Sequence, residues 1–112
     1  MCGIAGKVSA QGGVDPALLE RMCAAIEHRG PDSRGTFVEP GVGLGIQRLR
    51  VIDLETGDQP IQNEDGSVVV VLNGEIYNYR ELRDELEGRG HRFSTRSDTE
   101  VLVHLYEDRG DD

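Results

Sequence analysis

The longest uninterrupted apolar run in this sequence, Val68-Val69-Val70-Val71-Leu72, is five residues long. That is strand length, far below the roughly 20 residues a membrane-spanning helix needs. A run that is apolar at every position has no solvent face, so it predicts a strand covered on both sides. Turn signals bracket it, Asp65-Gly66 before and Asn73-Gly74 after. The first predicts a hairpin joining residues 61–64 to 67–72. A chain that must cover such a strand needs layers packed around a sheet.

The rest of the pattern supplies those layers. Residues 4–9 alternate apolar with small or polar and predict a first strand that presents Cys2 at its beginning. Asp15 and Pro16 predict a helix start, as cap and first helical residue. Leu18, Leu19, Met22, Cys23 and Ile26 form its apolar face, and Gly30-Pro31 ends it. Residues 36–38 and 42–46 read as a strand pair turned at Pro40-Gly41, with Val51 and Ile52 extended and residues 55–58 in a turn. Asn78 caps a second helix, with Glu81 completing a capping box and Leu82 and Leu86 inward; Gly88 and Gly90 break it. Residues 91–94 read as a short strand. Ser97 and Glu100 form another capping box around Asp98, and a third helix turns Val101, Leu102, Leu105 and Tyr106 inward. Strands and helices in mixed order, with hairpins, predict an α+β fold with largely antiparallel sheet. At 112 residues this is one domain at most, without repeats, low-complexity tracts or linker.

Lys and Arg total 12 against 21 Asp and Glu, a formal net charge of -9. Such a chain repels phosphate backbones, which argues against a nucleic-acid partner; solubility is the commoner reason for the acidity. No basic segment followed by an apolar stretch opens the chain, so we expect a cytoplasmic protein and no membrane partner. The two cysteines show no CxxC spacing and His28, His91 and His104 are dispersed, so no zinc pattern is present. A cytoplasmic setting argues against a Cys2–Cys23 disulfide. Cys23 reads as a small apolar helix residue.

Cys2 reads differently. If Met1 is removed, Cys2 carries a thiol and a free α-amine, a nucleophile and a base in one residue. The thiolate is the attacking species of cysteine chemistry. An α-amine, with an ordinary pKa of about 7.7–8.0, is partly neutral near pH 7 and can take a proton without a histidine partner. Alone, Met-Cys at a terminus is more often a residue of no consequence.

Five segments in order change that balance: MCGIAG at the start, HRGPD at 28–32, QRLRVIDL at 47–54, NGEIYNY at 73–79 and RSDTE at 96–100. Together they resemble the N-terminal glutaminase domain of asparagine synthetase-like enzymes, class II glutamine amidotransferases of the N-terminal nucleophile (Ntn) hydrolase group. The resemblance covers essentially the whole chain. It implies an αββα sandwich, of which these residues form the N-terminal part. It implies Cys2 as nucleophile after Met1 removal, attacking the side-chain amide of L-glutamine through a thioester, with its own α-amine as base. Asn73 and Gly74 match the oxyanion donors, although Asn-Gly alone is also a turn signal. Arg48 matches the clamp on the glutamine carboxylate and Asp98 the ammonium partner, with Glu75 nearby. Leu49, Val51 and Ile52 match the segment that contacts glutamine. Read without the motif, Arg48 is a solvated charge and Asp98 a residue of a helix's first turn. Arg29-Gly30-Pro31-Asp32 resembles a family loop next to the pocket; a rigid helix exit suffices as its structural reading, and we assign it no chemistry.

The resemblance stops short of the family's length. Residues 1–112 stand as an amidotransferase type-2 domain incomplete at its C-terminus. The synthetase domain is absent, and with it any ATP or magnesium site. The implied activity is glutamine hydrolysis supplying ammonia for asparagine biosynthesis from aspartate, or a related amide transfer. A non-catalytic glutamine-binding or interaction module is the alternative. Missing late strands imply an exposed edge and apolar face, which makes homodimerisation one expected outcome for the isolated chain.

Overall fold

A computed structural model describes residues 2–49 and 58–111. Met1, Val51, Ile52 and most of the turn expected at 55–58 lie outside the described residues. Five strands and three helices follow in order. They are β1 (Gly3–Val8), α1 (Pro16–Ala25), β2 (Ser33–Glu39), β3 (Val42–Arg48), β4 (Ile61–Gln62), β5 (Val69–Val70), α2 (Tyr79–Gly88) and α3 (Glu100–Arg109). A single 3-10 turn (Glu27–Arg29) joins α1 to β2. The α+β class with antiparallel pairing is as expected.

The central sheet has the order β1-β3-β2, antiparallel throughout. Gly3 pairs with Gln47, and Ser33 with Arg48. Side chains alternate across a strand, so Gly43, Gly45 and Gln47 share one face and Leu44, Ile46 and Arg48 the other. Helix α1 lies on the first face. It starts as the sequence predicts: the Asp15 side chain accepts from the Ala17 N–H at 2.9 Å, with Pro16 behind it. Leu19 and Cys23 are fully buried beneath it. They fit because β3 offers glycine there: a Cβ on Gly43 would lie 2.7 Å from Leu19 Cδ1, and one on Gly45 2.6 Å from Cys23 Sγ. Both cysteines are free.

The second face of the sheet is covered only in part. Ile46 is fully buried there, and Gly35 approaches the Gln59 carbonyl so closely that no Cβ would fit. Ile4 and Val8, on the same face by register, are 51% and 83% exposed, the apolar face the sequence led us to expect. The β4–β5 hairpin turns at Gly66, whose φ of +75° favours glycine. Helix α3 packs on this hairpin and α2 on α3.

Several local expectations need correction. Residues 68–72 are half-buried, because only α3 covers the hairpin. Asn78 precedes α2, but its side chain makes no cap bond; its φ/ψ of −96°/25° is not the extended cap geometry. Residues 91–94 form no strand. Thr99 directly precedes α3 with helical dihedrals and no side-chain cap bond, whereas the Ser97 hydroxyl accepts from the Thr99 N–H at 3.2 Å, so the cap half of the expected box is present. Glu100 does not reach back to a cap; its buried carboxylate accepts from Ser94 N–H at 3.0 Å and Thr95 N–H at 2.7 Å. The buried residues of α3 are Glu100, Val101, Val103 and His104, whereas Tyr106 is half-exposed. The histidines are not all dispersed: the rings of His91 and His104 stand 4.9 Å apart.

Candidate active site

Cys2 sits one residue beyond the β1–β3 ladder. Continuing the register from Gly3 and Gln47 sets Cys2 opposite Arg48, so both side chains leave the sheet on the same face. The thiol is tied to the strand end: Leu49 N–H donates to Cys2 Sγ at 3.4 Å, and the thiol faces Leu49 O at 3.5 Å. Arg29 Nε donates to the Cys2 carbonyl at 3.1 Å. The cysteine is thereby held at its sulfur and its backbone.

A cleft of about 320 Å³ opens over these residues. That lies at the lower end of the ~300–1,000 Å³ of small-molecule sites. Cys2, Arg48 and Leu49 line one side; Asn73, Gly74, Glu75, Tyr77 and Asp98 line the other. Asp98, 5% exposed, accepts from the Ile76 N–H at 2.8 Å through Oδ2. Its Oδ1 faces the hydroxyls of Thr99 at 3.3 Å and Ser97 at 3.5 Å. Asn73, Gly74 and Glu75 are exposed.

Arg48 is the outlier. It is 6% exposed, and its Nε and Nη1 have no hydrogen-bond partner among the described residues. An uncompensated buried guanidinium is costly. Arg48 also lines the cleft, so its positive charge favours an anion there. The structure thus removes one reading left open above: Arg48 is not a solvated surface charge.

Of the sequence-derived set, Cys2, Arg48, Leu49, Asn73, Gly74, Glu75 and Asp98 converge on this cleft. Val51 and Ile52 lie outside the described residues. Sequence reasoning missed Gln59, and it placed Arg29 in a loop next to the pocket without its bond to Cys2. Gln59 is 7% exposed and bridges the two walls: its Oε1 accepts from Leu72 N–H at 2.6 Å, and its Nε2 donates to Thr99 Oγ1 at 3.4 Å. Nothing in the local pattern around Gln59-Pro60 marks that bridge. Arg29 stands in the HRGPD segment read as a helix exit. Its partner, a backbone carbonyl 27 residues away, leaves no trace in sequence spacing. Gly30 beside it packs against the backbone of Gln47 and Arg48, where any Cβ would collide.

A family model for the glutamine amidotransferase domain matches residues 1–112. The chain belongs to the glutamine amidotransferase domain family. Among curated relatives, it is 48% identical over 110 residues to asparagine synthetase [glutamine-hydrolyzing] 1 of Bacillus subtilis (strain 168), covering 95% of this chain and 17% of that protein. Asparagine synthetase 2 of the same organism is 46% identical over 114 residues, at 98% and 15% coverage. A rice homologue (Oryza sativa subsp. japonica), asparagine synthetase [glutamine-hydrolyzing] 2, is 44% identical over 117 residues, at 100% and 19%. The chain therefore spans less than a fifth of the length of these relatives. No helix among the described residues is long and apolar enough to cross a membrane.

Proposed function

We propose that this chain hydrolyses the side-chain amide of L-glutamine through a thioester on Cys2. The ammonia would serve a synthetase domain of a longer protein, most simply for amidation of aspartate to asparagine. The observation that carries the reading is Arg48, buried in the cleft wall with Nε and Nη1 unpartnered among the described residues, directly across the ladder from a tethered thiol. A glutamine carboxylate on Arg48 and its α-ammonium at Asp98 would leave the amide to reach Cys2.

In this reading Met1 is removed and the Cys2 α-amine takes the thiol proton. The thiolate attacks the amide carbon, and the oxyanion forms against Asn73 and the Gly74 N–H. Collapse breaks the C–N bond and ammonia leaves with the proton held by the amine. Water, deprotonated by the same amine, then attacks the thioester; glutamate leaves and the thiol is restored. Residues 1–112 would be the first part of an amidotransferase type-2 domain, with ATP and magnesium serving only the synthetase domain. The succession of α1, three-stranded sheet, hairpin and α3 supports an αββα Ntn-hydrolase sandwich for the complete domain. A cytoplasmic location follows from the same reading.

The test combines intact mass, to establish Met1 removal, with labelling by a diazo-ketone analogue of glutamine. Stoichiometric labelling is expected, lost in Cys2→Ala and kept in Cys23→Ala. A Cys2→Ala protein that still hydrolyses glutamine would sink the mechanism. Glutamine binding without labelling, despite a free Cys2 amine, would point to a non-catalytic binding module.

A further inference from the structure

A second group of chemistry-bearing side chains lies at the opposite end of α3 from Asp98, and none of it lines the Cys2 cleft. Glu64 sits in the β4–β5 turn and His91 in the segment leaving α2. His104 and Glu107 are three residues apart on α3, hence on one helical face. One ligand atom from each of the four lies within 4.8 Å of all the others. We propose that His91, His104, Glu64 and Glu107 form a binding site for Zn2+.

The distances suit the ion. Glu64 places Oε2 3.0 Å from His91 Nδ1 and Oε1 3.0 Å from His104 Nδ1. Glu107 Oε2 is 3.9 Å from His91 Nδ1. A four-coordinate zinc with bonds of ~2.0–2.2 Å sets its ligand atoms roughly 3.3 Å apart. The two 3.0 Å pairs, through different Glu64 oxygens, lie just inside that spacing. Glu107 Oε2, which accepts from Asn63 Nδ2 at 3.0 Å, lies outside it, and the four ligand atoms, spread over up to 4.8 Å, would draw together on the ion. Two imidazoles with two carboxylates suit zinc, whereas calcium and magnesium favour oxygen ligands throughout.

The outer ring nitrogens are already held. His91 Nε2 meets Asp108 Oδ1 at 2.9 Å, and His104 Nε2 meets Glu100 Oε2 at 3.0 Å. A carboxylate on the far nitrogen of each imidazole is the arrangement that orients metal-binding histidines. Glu100 accepts from two backbone N–H groups, so His104 Nε2 is the donor in its pair. The Nδ1 lone pair of His104 is then left facing a Glu64 oxygen. Two acceptors 3.0 Å apart repel unless a cation lies between them. His104 is fully buried, and at 3.0 Å its Nδ1 still lacks hydrogen-bond geometry to Glu64 or to any other described residue. An ion with four ligands needs no such alignment.

The experiment strips the purified protein with a chelator, then titrates Zn2+ by calorimetry and Co2+ by visible absorption. One ion per chain is expected, with the absorption of a four-coordinate Co2+ site and no thiolate charge-transfer band. Cys2→Ala should bind Zn2+ unchanged, which separates this site from the glutaminase reading. Glu107→Gln, at a half-exposed side chain, should keep the circular dichroism spectrum and weaken Zn2+ at least tenfold; His91→Gln should do the same. Three results would each overturn the proposal: no saturable uptake by folded protein, unchanged affinity in both variants, or a thiolate band placing the ion on a cysteine. A His91–Glu64 pair serving only as a structural charge bridge would give the first of these.

Discussion

Arg48 shows how a single side chain can be more informative free than bound. Its Nε and Nη1 are buried without a hydrogen-bond partner among the described residues, a cost that no protein group seen there offsets. Arg48→Met should therefore leave the thermal midpoint of the ligand-free protein unchanged or raise it. The same variant should lower kcat/KM for glutamine ~10²-fold or more, the cost of losing a buried charge partner. A substantial fall in midpoint would show instead that Arg48 serves the fold. Arg29 touches the cysteine backbone, not the substrate site. Arg29→Ala should lower kcat ~10–100-fold through misplacement of the thiol, with KM little changed. Arg29→Lys should recover part of the loss, and a matched rise in KM would refute the positioning role. Cys23 is the converse case. Burial pushes its thiol up, which the nearby Arg34 charge only partly offsets. It stays protonated at neutral pH, so iodoacetamide should modify Cys2 alone in folded protein, as peptide mass mapping can show.

At the scale of elements, α1 packs closely on β3, made possible by glycine on the strand. Gly45→Ala should cost about 1–3 kcal/mol in urea unfolding because its Cβ meets Cys23 Sγ. Combining it with Cys23→Ala should restore part of that loss, a coupling that a double-mutant cycle reads directly. The α1 start and the β2–β3 and β4–β5 hairpins were legible in the sequence, because Asp15-Pro16, Pro40-Gly41 and Asp65-Gly66 act locally. Glu100 was not. Its position three residues after Ser97 mimics a capping box, yet its carboxylate serves the 94–95 turn and His104. Burial decided that outcome, and burial is a tertiary property. The Cys2, Arg48, Asn73, Gly74 and Asp98 cluster was legible because each stands in a motif. Gln59 was invisible, since its partners, Leu72 and Thr99, lie 13 and 40 residues away.

For the molecule as a whole, the strongly acidic surface and the half-covered sheet pull in opposite directions. A net charge of -9 keeps copies apart, while Ile4 and Val8 invite association. Val8→Lys in the isolated 112-residue chain should reduce light scattering at high salt, where charge repulsion is screened. Its unfolding free energy should change by no more than about 0.5 kcal/mol, as for other exposed positions. The histidines carry the same lesson at this scale: His91 and His104 look unrelated along the chain, and only the docking of α3 on the hairpin makes them neighbours. One feature of the sheet reaches further than its stability. Cys2 faces Arg48 only because six ladder pairs run without slippage from Val8 to Gly3. Insert one residue between Cys2 and Gly3, and the pleat would send the thiol to the side occupied by α1. The distance between the thiol and the strand is thus counted in whole residues, with no tolerance for one more or one fewer, and in the proposed reaction parity rather than proximity would decide whether the cleft has an attacking group.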